Sequence, residues 1–134
     1  MGCESMKTQW KRHLWVILLL FYLLLCVLSP YSLRIDAESC HVGSTEIGYV
    51  VRNRSILPAG PAHIGLEQLT GTGWKKIEDA QLRYDVGYTF GLLDTDRGSF
   101  VSAKPLEAGR YRLTVRCNYS LLGKIEKTEE FVID

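Results

Sequence analysis

The hydrophobic positions of this chain follow two regimes. Residues 14–28 form an unbroken apolar run directly behind the basic cluster Lys11-Arg12-His13. From Thr45 onward, apolar residues recur at every second position instead. The clearest stretch sets Tyr111, Leu113, Val115 and Cys117 against Arg110, Arg112, Thr114 and Arg116. A period of two predicts a strand with one buried and one wet face. Thr45, Ile47, Tyr49 and Val51 alternate in the same way with Glu46, Gly48, Val50 and Arg52. Further strands are expected over residues 62–69, 74–77, 84–92, 99–103 and 129–133. Gly71-Thr72-Gly73 supplies a hairpin turn before Trp74, and Leu106-Glu107-Ala108-Gly109 turns the chain into the Tyr111 strand. No segment after residue 38 holds a useful amphipathic helical period.

About seven short strands with regular turn signals predict an all-β, immunoglobulin-like sandwich behind an N-terminal hydrophobic helix. The expected organisation is a basic N-terminal segment over residues 1–13, an apolar segment over 14–33, a linker over 34–42 and the sandwich over 43–134. Residues 14–33 carry no charge, and their length is what a helix needs to span a membrane. Their strongly apolar part stops at Ser29-Pro30, since proline cannot continue a helix. A positive flank followed by an apolar core is the order of an export signal, with the basic end inside and the domain outside. A cut after Ser29 leaves Pro30 directly behind it, whereas Ile35-Asp36-Ala37 offers better residues farther from the core. A cleaved signal and a retained transmembrane anchor both stand. Met1-Gly2-Cys3 lacks the Ser or Thr wanted at the sixth position for acylation, and Cys26 lacks a small residue before it.

Charge and cysteine content narrow the class. Residues 38–134 hold 12 Lys/Arg and 13 Asp/Glu, a formal charge of −1. This balance argues against a nucleic-acid binder. Of the four cysteines, Cys40 and Cys117 fall in the outward part. An isolated pair in an oxidising compartment predicts one Cys40–Cys117 disulfide, and Cys117 shares the inward parity of its strand.

The run Val51-Arg52-Asn53-Arg54-Ser55, followed by Gly65-Leu66-Glu67-Gln68-Leu69 and Gly73-Trp74-Lys75-Lys76-Ile77, resembles the first half of a bacterial immunoglobulin-like domain family. Leu106-Glu107-Ala108-Gly109-Arg110-Tyr111-Arg112-Leu113 and Glu130-Phe131-Val132-Ile133 resemble its second half. The resemblance covers residues 51–133 and implies a secreted or envelope-attached module with no catalytic residues. The Cys40–Cys117 pair is not part of the family pattern.

No enzyme signature appears: there is no Gly-x-Ser-x-Gly elbow, no His-Glu-x-x-His and no Cys-x-x-Cys. His41 and His63 have no companions at ligand spacing, so no metal or cofactor is expected. Asp94-Thr95-Asp96-Arg97-Gly98 opens like a calcium loop but lacks its further ligands, and reads as a polar turn. Arg110, Arg112 and Arg116 share one face, either to hold an anionic polymer or to pair with cross-strand carboxylates such as Glu129 or Glu130. Trp74 should pack in the core, and Tyr84, Tyr88 and Phe90 share one strand face. Asn53-Arg54-Ser55 and Asn118-Tyr119-Ser120 match the glycosylation acceptor pattern, which the bacterial resemblance makes coincidental. The expectation is a non-enzymatic module that binds an unknown protein or glycan at the cell envelope, or after secretion. Pro58, Pro61, Asp94, Asp96, Arg97 and the three strand arginines are its candidate contacts, and the membrane is met through residues 14–33. The rival is a small protease inhibitor presenting a rigid loop over residues 54–61, stiffened by Pro58 and Pro61.

Overall fold

The computed structural model describes residues 3–28, 30–81, 94–119 and 122–134. One helix, α1 (Cys3–Leu28), precedes a mostly β body. Strands β1 (Tyr31–Ile35), β2 (Glu46–Asn53) and β5 (Thr95–Val101) form an antiparallel sheet in the order β1-β2-β5. Strands β3 (Ala59–Thr70), β4 (Gly73–Ile77), β6 (Gly109–Tyr119) and β7 (Gly123–Ile133) form a second in the order β4-β3-β6-β7. One core joins them: Tyr31, Ile47, Val51 and Phe100 from the first sheet pack with Leu66, Leu113, Val115 and Ile133 from the second. Residues 84–92, expected as a strand carrying Tyr84, Tyr88 and Phe90, lie outside the described residues.

Local chemistry accounts for the turns. Thr70 pairs with Gly73 across the two-residue turn Gly71-Thr72, and Gly73 takes the positive φ of 115° that a side chain would resist. The Thr70 hydroxyl donates to Gly73 O at 2.8 Å. Before β6, Leu106 is buried and the Tyr111 hydroxyl reaches back to donate to Glu107 O at 2.8 Å. That bond ties the start of β6 to the turn by which the chain crosses between the sheets.

Three elements depart from the sequence expectation. Residues 31–35, divided between the apolar segment and the linker, are strand β1, paired with β2 from Tyr31↔Asn53 to Ile35↔Tyr49. Tyr31 is fully buried, and its hydroxyl lies 2.6 Å from Val115 O and 3.0 Å from Ile125 O, tying this first strand to the opposite sheet. The pattern was hidden because Tyr31 and Leu33 adjoin the longer apolar run. Second, β7 begins at Gly123, six residues before its expected start at Glu129. Its inward positions include Lys127 and Glu129, which break the apolar period. Inward charges on an edge strand also discourage pairing with another chain. Lys127 lays its stem inward, with Nζ 5.4 Å from the Tyr31 ring centroid.

The third departure is Asp94-Thr95-Asp96-Arg97-Gly98, expected as a polar turn. Thr95 opens β5, and Asp96, Arg97 and Gly98 pair with Val51, Val50 and Tyr49. The inward side of β5 carries Asp96, Gly98 and Phe100, so no apolar alternation marks it. Gly98 is favoured by contact: a Cβ there would collide with the ring and hydroxyl of buried Tyr49. Trp74, expected in the core, is half-buried on the outer face of the second sheet, with the Arg112 guanidinium 4.4 Å from its ring centroid. β4 is an edge strand whose Ile77, rather than Trp74, shares the inward register of Leu66 and Leu113.

Candidate partner-binding surfaces

The two sheets present outer faces of opposite character. On the four-stranded sheet, register brings each β6 arginine to a carboxylate. Arg110 pairs with Glu130 at 2.9 Å and Arg116 with Glu126 at 2.7 Å, both across to β7. Arg112 pairs with Glu67 on β3 while covering Trp74. Of the two expectations for this row, pairing with cross-strand carboxylates is the one the register produces, and the row is charge-compensated. Thr114 and Thr128 hydroxyls meet at 2.8 Å between the pairs. A cavity of about 470 Å³ opens over this face, lined in part by His63, Gly65, Arg112, Thr114 and Glu126.

The three-stranded sheet lacks such pairing. Its outward positions form two cross-strand rows, Ser32–Arg52–Thr95 and Arg34–Val50–Arg97. Among the described residues, no carboxylate lies within salt-bridge distance of Arg34, Arg52 or Arg97. A cavity of about 560 Å³ here is lined by Ser32, Arg34, Val50, Arg52, Arg54, Thr95 and, from α1, Tyr22. Glu46 belongs to the far end of β2, and Asp36 lies beside Gly48. Asp96 points inward, opposite Val51. Of the expected contacts, Arg97 belongs to this face. Arg34 and Arg52 were passed over: one fell in the presumed linker, and the other was a wet position among several.

The loop between β2 and β3 is held from inside. Asn53 is fully buried; its Oδ1 accepts from Ser55 N at 3.0 Å and from the Tyr119 hydroxyl at 3.1 Å. Its Nδ2 donates to Leu57 O at 2.9 Å, while Arg54 N and Ser55 N donate to Pro30 O. Asn53 is thus unavailable for glycosylation in the folded chain, whereas Asn118 is exposed. Pro58 is exposed in this loop, but Pro61 is a β3 residue opposite Cys117, at a register shift, so the stiffened loop is shorter than residues 54–61.

The expected disulfide is absent: Cys40 and Cys117 are free thiols. Cys117 is buried opposite Ile125 of β7, whereas Cys40 shares a cavity with Glu129, Glu130, Phe131 and Val132. Glu129 lies four residues along β7 from Ile125, about 13 Å at the rise of a strand. A disulfide needs Cα atoms within about 7 Å. Inward parity put Cys117 in the core but said nothing of where along the core Cys40 arrives.

Burial pushes the Cys117 thiol up to about 12 from 9.0; the Asp96 charge adds to this and a hydrogen bond with Tyr31 opposes it. Burial likewise raises the Tyr31 hydroxyl from 10.0. Both groups are held neutral by the fold, so their contribution is complete below their ordinary values and disappears as pH rises through the folded ones. We expect the urea midpoint to hold up to pH 9 and to fall progressively from there toward pH 12. Cys117→Ala should make the fall shallower between pH 9 and 10, leaving the smaller share of Cys40, which burial also raises from 9.0, and that of the Tyr31 and Tyr111 hydroxyls, raised from 10.0. Alkylation of the native chain should modify half-buried Cys40 and spare Cys117 until denaturant is added.

Among the described residues no group of three or more His, Cys, Asp or Glu is placed to hold a metal ion. None of their helices is long and apolar enough to cross a membrane. No family model matches the chain, and no curated protein matches it. A search of solved structures finds the crystal structure of the "Putative ApaA Protein from Bordetella pertussis", at 18% identity and a TM-score of 0.44. That alignment covers 76% of this chain and 87% of the other.

Proposed function

We propose that the chain is an exported, non-enzymatic immunoglobulin-like module that works by binding at the cell envelope. The observation that carries this reading is the junction of α1 with the β body. From Leu14 to Leu25 every α1 side chain except Tyr22 is exposed, including Leu18, Leu19, Leu20 and Phe21. A helix apolar all round belongs in an apolar surrounding. The sheet orders β1-β2-β5 and β4-β3-β6-β7, with the Tyr111–Glu107 bond, support the immunoglobulin-like assignment. Binding modules of this kind present contacts on faces and edges held by a rigid scaffold.

The strand position of β1 bears on processing. Cleavage after Ala37 would remove Tyr31 and Leu33 from the core, so a processed form that keeps the sandwich is cut before Pro30. Fusing a reporter active only after export behind Asp134 should give activity, and removing residues 14–28 should abolish it. A well-expressed but inactive full-length fusion refutes the reading.

A second reading, a protease inhibitor, has one observation in its favour: the Asn53 network fixes a loop that exposes Arg54, Ile56 and Pro58. A panel of serine and cysteine proteases, with Ile56→Glu as control, separates the two. Inhibition lost in that variant favours the inhibitor.

A further inference from the structure

We propose that the outer face of the β1-β2-β5 sheet, carrying Arg34, Arg52 and Arg97, rests on the anionic phospholipid headgroups of the membrane that α1 enters. The inference deepens the envelope reading and rests on it.

Strand geometry brings the three arginines together. Arg34 and Arg97 flank Val50 in one cross-strand row, so their Cα atoms are separated by two strand spacings, about 10 Å. Arg52 stands two residues along β2 in the adjacent row, between Ser32 and Thr95. Like charges this close on one sheet face repel. The other sheet meets the same problem with Glu67, Glu126 and Glu130, each opposite an arginine. On this face the counter-charge is missing among the described residues. Arg54 lines the cavity at the same end, and its charge helps hold the Lys127 ammonium below its ordinary value, after burial.

The position of α1 identifies the counter-charge. Pro30, just after the helix, accepts from Arg54 N at 2.7 Å, so the helix leaves the body at the basic end. Tyr22 lines the same cavity as the arginines, and its hydroxyl donates to Arg54 O at 3.4 Å. The apolar run enters the bilayer, so the end of the body at which it leaves, carrying the arginine rows, stands at the level of the lipid phosphates. Guanidinium suits this role because its fork of donors matches phosphate oxygens and it is weakly hydrated. Of the carboxylates on its strands, Glu46 stands at the far end and Asp96 points inward; exposed Asp94, just before β5, forms no salt bridge with the three arginines.

The test uses the full chain in lipid nanodiscs and reads arginine accessibility from the rate of phenylglyoxal modification, mapped by mass spectrometry. Discs of phosphatidylcholine alone are compared with discs holding about one third phosphatidylglycerol. The anionic discs should slow modification of Arg34, Arg52 and Arg97 about fivefold, and leave Arg110 unchanged. The protection should vanish at about 0.5 M salt, where screening is nearly complete within a few ångströms. Inorganic phosphate added to neutral discs should not reproduce it. Equal rates in the two disc types overturn the proposal, as does equal protection by free phosphate, which would mean a soluble anion is the ligand. Failure of the chain to remain with discs overturns the envelope reading along with it, whereas retention without lipid-dependent protection overturns this inference alone.

Discussion

A chain shortened to begin at Glu38 should fail to fold, whereas one beginning at Pro30 should retain the two-sheet body. Removing β1 strips Tyr31 and Leu33 from the core, a loss of about 3–6 kcal/mol in apolar burial alone. It also leaves Val115 O without its 2.6 Å partner in the opposite sheet and exposes the ladder edge of β2 from Tyr49 to Asn53. Domains of this size have about 5–15 kcal/mol in total, so this burial together with the lost ladder of β1 is comparable to the margin. Far-ultraviolet circular dichroism and a cooperative urea transition provide the readout. Cooperative unfolding of the Glu38 form with an unchanged midpoint would remove β1 from any structural role. Tyr31→Phe isolates the hydroxyl: it keeps the ring stacked near Tyr119, at 6.3 Å between centroids, and loses the bonds to Val115 O and Ile125 O together with the one to Cys117.

Asn53→Ala should destabilise the body by about 2–5 kcal/mol, because it removes the buried bonds of this amide with the Tyr119 hydroxyl, Leu57 O and Ser55 N. Ser55 N keeps a bond to Pro30 O, so its share of the loss is smaller. Asn53→Asp should fare little better, since a carboxylate oxygen would then face Leu57 O in place of a donor. Asn118→Ala, in the other acceptor-pattern triplet, is exposed and should change stability by no more than about 0.5 kcal/mol. Urea midpoints of the three variants are the measurement. Similar small effects at both asparagines would mean the Asn53 network does not hold the β2–β3 loop.

The contrast between these asparagines shows why part of the fold was legible and part was not. A period of two is local, so β2, β3, β4 and β6 could be read from their own residues. So could the Gly71-Thr72 turn and the inward parity of Cys117. Strands whose inward positions are charged or glycine could not. β5 hides Gly98 under Tyr49, and the first half of β7 hides Lys127 beside Tyr31. In both, a side chain from another strand fills the space that an apolar residue would otherwise mark.

The surfaces divide in the same way. The alternation in β6 determined by itself that Arg110, Arg112 and Arg116 share one wet face. Whether that face is charged or neutral depended on Glu67, Glu126 and Glu130, which are up to 45 residues distant and arrive through strand register. The uncompensated arginines emerged only when β1 and β5 docked on either side of β2, joining Arg34, Arg52 and Arg97 from three separate segments. The disulfide failed for the same reason. Parity sets which way a sulfur points, but only the packing of β1 and the Ala37–Ser39 turn against β7 sets where Cys40 arrives. Local pattern is a property of a strand alone, whereas compensation of charge, capping of a buried amide and reach between thiols are properties of pairs that tertiary structure brings together.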